Sequence, residues 1–260
     1  MALLVILMVC GIQRYLHFSS HSYRVNWIAP YYRWWEPRLT KWSMQQHVGG
    51  LLLLILPLLV LMSFLFTLTH VLLGVFGYFT LSLIWFWYCV SIRQHNIHSN
   101  ESSEQVISQT YRQLFAIIFW YFVFGPIGLA LYVGIVQLLE YLQKQTESQA
   151  VKLKQYTATV LAVLDWLPVR LVGLSFALVG HFSAVFRLWS SQLLTGISDD
   201  YRYLVELGLQ AIDTEAMSVT NTEGVEASLI SALAVEHLLD RSLLVWLVVM
   251  ALCSIGYWLG

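Results

Sequence analysis

Two apolar stretches placed almost end to end, Val48 to Thr69 and Val71 to Val90, constrain this chain more than any other feature. Leu51 to Leu61 is nearly all aliphatic, and the second stretch is rich in rings, from Phe76 and Tyr78 to Trp85, Trp87 and Tyr88. An α-helix needs about 20 apolar residues to cross a bilayer core. Hydrocarbon offers no partner for a backbone N–H or C=O, so a crossing segment must close its own hydrogen bonds. The pair therefore reads as a transmembrane hairpin with a tight turn between His70 and Gly77, where Gly74 and Gly77 allow close backbone contact. Of 260 residues, 58% are hydrophobic and 11% charged, whereas soluble domains carry about 25% charged residues. A mean hydropathy of +0.66 and 11 Trp point the same way, to an integral membrane protein. The net charge of −1 gives no field that would gather a nucleic acid.

The remaining segments fit around that hairpin. Ala2 to Ile12 is apolar but short for a span, and lacks the leading cation and cleavage site of a signal peptide. Residues 13–47 mix Arg14, Arg24, Arg33, Arg38 and Lys41 with Trp27, Tyr31, Tyr32, Trp34 and Trp35, against a single Glu36. Such a mixture suits the headgroup layer on the cytoplasmic face. Residues 91–113 form a polar connector in which Ser102 and Gln105 have the spacing of a capping box. Leu114 to Leu139 is a third apolar segment, and Val160 to Val179 a fourth.

Residues 182–242 change character. Asp199, Asp200, Glu206, Asp213, Glu215, Glu223, Glu226, Glu236 and Asp240 outnumber Arg187, Arg202 and Arg241. Ser198 caps a helix there, Asp199 and Asp200 suit its first turn, and Tyr201, Leu204, Val205, Gly208, Leu209 and Ile212 share a face. After a loop at Met217 to Gly224, Val225 to Leu239 reads as a second amphipathic helix and Leu243 to Leu259 as a final span. The expected fold is all-α and polytopic, with about four to five membrane helices, an interfacial basic and aromatic segment, and an acidic helical extramembrane section. The expected division is a membrane-embedded region at 1–181, the acidic section at 182–242, and a C-terminal membrane helix at 243–260.

Chemistry-bearing residues inside the apolar runs are few. Asp165 and Arg170 lie in an otherwise apolar segment with Pro168 between them. An acid or a guanidinium at such a position costs roughly 2.5–3.5 kcal/mol on insertion scales, so each must be paired, hydrated or used. Pro168 cannot donate the helical hydrogen bond and clashes with the preceding turn. The helix is expected to kink or restart there, freeing carbonyls near Leu164 and Asp165 and letting Asp165 meet Arg170 across the break. The segment ends at Gly180-His181, where His181 reads as a helix-end histidine rather than a base or ligand. Gly125-Pro126-Ile127-Gly128 interrupts the third apolar segment, which predicts a kinked span or, alternatively, two half-helices meeting at a turn around Gly125 and Gly128. Cys10, Cys89 and Cys253 have neither zinc nor disulfide spacing, and His95 and His98 read as loop histidines. No Walker-type loop occurs. The residues imply no metal and no cofactor.

The run from Val160 to His181, with its D-W-x-P-x-R-L core at Asp165 to Leu171 and its trailing Gly180-His181, resembles the signature of AmpE-type inner-membrane proteins. The order of segments fits that family across most of the chain, although the last third matches only in character. The family resembles, more distantly, the CobD/CbiB enzymes of cobalamin biosynthesis, which form an amide using ATP and magnesium. Phe119-Trp120, Gly125 to Tyr132, and Pro168 to Leu171 have counterparts there. The G-R-D-T, A-E-N-x-x-D-G and N-T-L-D-S motifs of those enzymes are missing, the last being replaced by Val133 to Gln137. A shared scaffold without the ligase chemistry is what this implies. The resemblance further implies a multi-pass protein of the bacterial inner membrane that regulates or senses in β-lactamase induction and muropeptide recycling. Its partners would be the lipid bilayer and either a muropeptide or a cytosolic amidase of the AmpD type. Asp165, Arg170, Pro168, His181, Gly125 and Gly128 are the candidate ligand-binding or structural residues. A small-molecule transporter or ligand-binding membrane module is the alternative, suggested by two interrupted helices, and a CobD/CbiB-like enzyme is a third reading.

Orientation is left open by charge alone. If Leu114 to Leu139 spans fully, Lys144, Lys152 and Lys154 fall outside, against the positive-inside tendency. A re-entrant break at Gly125 to Gly128 removes the conflict.

Overall fold

The computed structural model describes residues 2–16, 28–41, 48–93, 107–108, 110–144, 151–192, 200–212 and 225–259. The described residues are helical almost throughout. Four helices are long and apolar enough to cross a membrane, and the chain is an all-α polytopic membrane protein. The Ser102–Gln105 capping signal, His95 and His98, the Ser198 cap and the Met217–Gly224 loop lie outside the described residues.

The elements in order are α1 (Ala2–Leu16), α2 (Ile28–Lys41), α3 (Val48–Arg93), a π-turn at Tyr111–Phe115, α4 (Ala116–Lys144), α5 (Val151–Val179), α6 (Phe182–Gln192), α7 (Asp200–Ile212) and α8 (Val225–Leu259). They group into two compact units. The first comprises Met1–Gln94 and Ile117–Leu164, and the second comprises His95–Ala116 and Asp165–Gly260.

Within the first unit, α3 is a hairpin. Gly74 has φ 66° and ψ −156° between two helical arms. Phe66 and Tyr78 are in ring contact at 5.7 Å, although twelve residues of straight helix would separate them by about 18 Å. The first arm, of about 39 Å, and the second, of about 28 Å, are each long enough to cross the hydrocarbon core. Leu52, Leu56, Val60, Leu61 and Phe64 point outward, as lipid-facing side chains do. The expected turn between His70 and Gly77 is therefore made at Gly74, because that backbone region is open essentially only to glycine.

Gly125 repeats the device in α4, with φ 65° and ψ −150°. A Cβ on Gly128 would stand 2.5 Å from the Trp120 carbonyl oxygen. In a straight helix those residues are about 12 Å apart along the axis. The sharper of the two expectations is the one realised: a turn between helical arms, rather than a simple kink. Pro126 follows at the first position of the new arm, where its missing N–H costs nothing. Tyr78 lies beside the second bend, its hydroxyl 3.9 Å from the Cβ position of Gly125, and Phe86 packs on Tyr121 at 4.7 Å. Helix α1 buries Val5, Ile6 and Val9 and packs on α3.

In the second unit, α7 packs on α6 and α8. It also approaches the C-terminal end of α5, where Cβ atoms added to Gly173 or Gly180 would strike Leu207 or Ala211 within 2.7 Å, while one added to Gly208 would strike Ile107 at 2.8 Å. Its buried face is Tyr203, Leu204, Leu207 and Ala211, rotated from the face expected, and Leu209 is exposed. Ala211 lies against the backbone at Gly180, and Gly208 against the Ile107 side chain, close approaches that larger apolar residues could not make. The segments expected as separate at Val225–Leu239 and Leu243–Leu259 form one 35-residue helix, α8. Val235, Leu238, Leu239, Ser242, Trp246 and Met250 are all buried along it. That seam keeps helical spacing straight through Asp240 and Arg241, so nothing interrupts the helix there.

Candidate functional site

Helix α5 continues through Pro168, with no residue outside helical geometry, so the restart expected there does not occur. Proline still removes a donor and tilts the carbonyls of the preceding turn outward. Side chains gather at the turn before it. Tyr111, on the π-turn before α4, donates its hydroxyl to Asp165 Oδ1 at 2.9 Å and lies 3.4 Å from the Asp165 carbonyl. Arg170 folds back on its own helix, donating Nη1–H to the Trp166 carbonyl at 3.0 Å. Its guanidinium carbon sits 4.4 Å from the Trp166 ring. The same solution recurs in the first unit, where Tyr31 donates to the Leu54 carbonyl at 2.8 Å, three residues before Pro57. In both helices a tyrosine meets the carbonyl three positions ahead of a proline.

Around the Asp165–Arg170 turn, other donors close the network. The Trp189 indole donates to the Arg170 carbonyl at 2.9 Å, and the Tyr203 hydroxyl donates to the Trp189 carbonyl at 3.2 Å. The Trp246 indole donates to Ser175 Oγ at 2.7 Å, and that hydroxyl donates to the Leu171 carbonyl at 2.8 Å. Phe115 closes over Trp246, with ring centres 5.6 Å apart. Asp165 is 0% exposed, Tyr111 is 0% exposed and Arg170 is 5% exposed. The π-turn, α6, α7 and α8 thus each contribute to a buried polar seam along one helix. Buried polar groups in such a setting fix geometry when satisfied and are costly when a partner is removed. A π-turn leaves the regular helical ladder and recurs at functional positions.

The remaining expected residues lie elsewhere. His181 is exposed between α5 and α6, and its carbonyl accepts the first hydrogen bond of α6 from Val185 at 3.1 Å. At helical rise it stands about 24 Å from Asp165, so it is no part of the seam. Gly180 beside it is where Ala211 comes closest. Gly125 and Gly128 belong to the first unit and make its second bend. No motif or spacing in the sequence points to Tyr111, Ser175, Trp189, Tyr203 or Trp246 as site residues. The only local signal at Tyr111 is a tyrosine where the polar connector meets an apolar helix. Among the described residues, no three His, Cys, Asp or Glu side chains come together.

The sequence profile described as "Regulatory signalling modulator protein AmpE" matches residues 95–257. A curated relative, "Protein AmpE" of Shigella flexneri, is 31% identical over 100 residues. That alignment covers 37% of this chain and 35% of the relative, so the chain spans about a third of the length of the protein it matches. No solved structure matches. The profile takes in the π-turn, α4 to α7 and nearly all of α8, including every residue of the polar seam, and on this match the chain belongs to the AmpE family.

Proposed function

We propose that the protein is a regulatory or sensor component of the bacterial inner membrane, acting in β-lactamase induction and muropeptide recycling, with the Asp165–Arg170 turn as its responsive element. The family's description as a regulatory signalling modulator supports the regulatory part of this reading. The observation that carries the choice of element is the hydrogen bond from Tyr111 to Asp165, made between two elements far apart in sequence at a fully buried carboxyl group. A buried carboxyl group that accepts from a phenol can exchange that donor for one on a ligand. Loss of the bond would release the π-turn from α5, which couples a local event to a helix that crosses the membrane. A muropeptide, or an amidase of the AmpD type, is the partner this reading assigns.

The test is deletion of the gene in its own host, followed by measurement of β-lactamase induction and muropeptide pools. The proposal expects both to change and to be restored by the wild-type chain. Unchanged induction and unchanged pools would overturn it.

One observation favours a second reading. Glycine bends at Gly74 and Gly125 interrupt two apolar helices of the first unit, and interrupted helices line substrate sites in transporters. Uptake of a labelled muropeptide by proteoliposomes carrying the purified protein separates that reading from the regulatory one.

A further inference from the structure

Helix α2 has two chemically different faces. Ile28 and Tyr32 are fully buried, and Tyr32 packs on Tyr141 of α4 with ring centres 5.3 Å apart. Tyr31 fastens the helix to α3 through the Leu54 carbonyl. The opposite face carries Arg33, Trp34 and Arg38, all exposed, with Trp34 57% exposed. Arg38 lies one helical turn beyond Trp34. Its guanidinium carbon is 3.7 Å from the centre of the Trp34 ring and 5.4 Å from that of Trp35. The two indoles stand at 90° to each other, 5.3 Å apart, and form an open corner around the cation. No carboxylate pairs with Arg33 or Arg38 among the described residues.

Depth follows from the anchoring bond. Leu54 lies six residues after the start of α3 at Val48, about 9 Å into that span. A helix tied to that level rests at the boundary between headgroups and acyl chains, where indoles are favoured. Stacking occupies the flat face of a guanidinium. Its N–H donors lie in the ring plane and point outward, which leaves the edge of Arg38 free to take two oxygens of one phosphate. The cation is thus held against an indole, with no acid paired to it among the described residues, on a helix tied to the outer part of a span.

We infer that the exposed face of α2, with Arg38 stacked on Trp34, is a binding site for the headgroup phosphate of an anionic phospholipid. The site lies in the first unit, outside the polar seam, and does not depend on the function proposed above.

The test uses the full chain. Wild-type protein is extracted from mixed phosphatidylglycerol and phosphatidylcholine bilayers and weighed by native mass spectrometry with its retained lipid. Phosphatidylglycerol should be retained in preference, and the preference should fall about fivefold in Arg38→Gln, as expected for loss of one cation at a charged surface. Trp34→Leu keeps the apolar bulk and the charge but removes the stacking, and should also weaken retention. Arg187→Gln, at an exposed arginine of α6, should leave it unchanged. Equal retention of the two lipids by the wild-type chain would overturn the inference, whatever the variants do. So would full retention in both Arg38→Gln and Trp34→Leu. In phosphatidylcholine nanodiscs, a thermal shift with glycerol phosphate equal to that with phosphatidylglycerol would show a free-phosphate site and overturn the lipid assignment.

Discussion

Replacing Tyr111 by Phe is the sharpest perturbation this structure offers. The ring stays and one oxygen is lost, so the packing of a fully buried side chain is preserved. What goes is the 2.9 Å bond to Asp165 Oδ1, together with the longer approach to the Asp165 carbonyl. A hydrogen bond between neutral groups contributes about 1 kcal/mol, and one to a charged group about 1.5–3 kcal/mol. Because Asp165 is 0% exposed, water does not readily replace the lost donor, and a cost of roughly 2 kcal/mol is expected. For a chain of this size that corresponds to a fall in melting temperature on the order of 4–8 °C, read by thermal unfolding in detergent micelles. Asp165→Asn keeps an acceptor in the same place and should cost less. The double variant should cost less than the sum of the two, with a coupling of about 1 kcal/mol. A Tyr111→Phe protein that melts within a degree of wild type, or two substitutions that add without coupling, would refute the claim that this bond holds the π-turn to α5.

Three other outcomes follow from the geometry. Gly125→Ala places a side chain at φ 65° and ψ −150°, a region that costs about 1–3 kcal/mol for any residue but glycine; a fall in thermal stability checks it, whereas the neighbouring exposed position Ile127→Leu should be silent. Gly180→Ala would put a methyl group 2.7 Å from the backbone oxygen of Ala211, so α7 must shift at a cost of roughly 1–3 kcal/mol; faster proteolysis within Asp200–Ile212 than in wild type would show it. Burial pushes the Tyr31 phenol above its usual 10.0. A raised folded value means that the bond to Leu54 contributes fully below about pH 10 and is lost as pH rises through the folded value. Tyr31→Phe should therefore abolish any alkaline release of α2, measured by protease access to its N-terminal side.

The membrane hairpin was legible because it depends on local rules. Apolar length sets the arms, and glycine is the residue able to adopt the turn at Gly74. The break at Gly125 was visible for the same reason, but its sharpness was not. Gly-Pro fits a kink and a reversal equally well, and the difference lies in how Trp120 and Gly128 pack. Pro168 predicts a helix break because the sequence shows the missing donor but not the side chains that hold the turn from outside it. Tyr111 stands 54 positions from Asp165, and no periodicity links them. On α7, spacing places Leu204 and Gly208 on the packed face, where they lie, but also Leu209, which is exposed; it ranks residues by hydrophobicity, whereas Ala211 is admitted by its smallness against Gly180. The continuity of α8 was hidden by Asp240 and Arg241, which lie in the helix beside a seam that continues past them.

The most direct test of the Asp165–Arg170 turn as a responsive element is β-lactamase induction in a deletion strain carrying wild type, Tyr111→Phe or Arg170→Gln at matched membrane levels. The account predicts that wild type restores the response and that both variants, although present in the membrane, fail to restore it in full. Complete restoration by both variants would contradict the account and leave the seam as a purely structural feature of the fold.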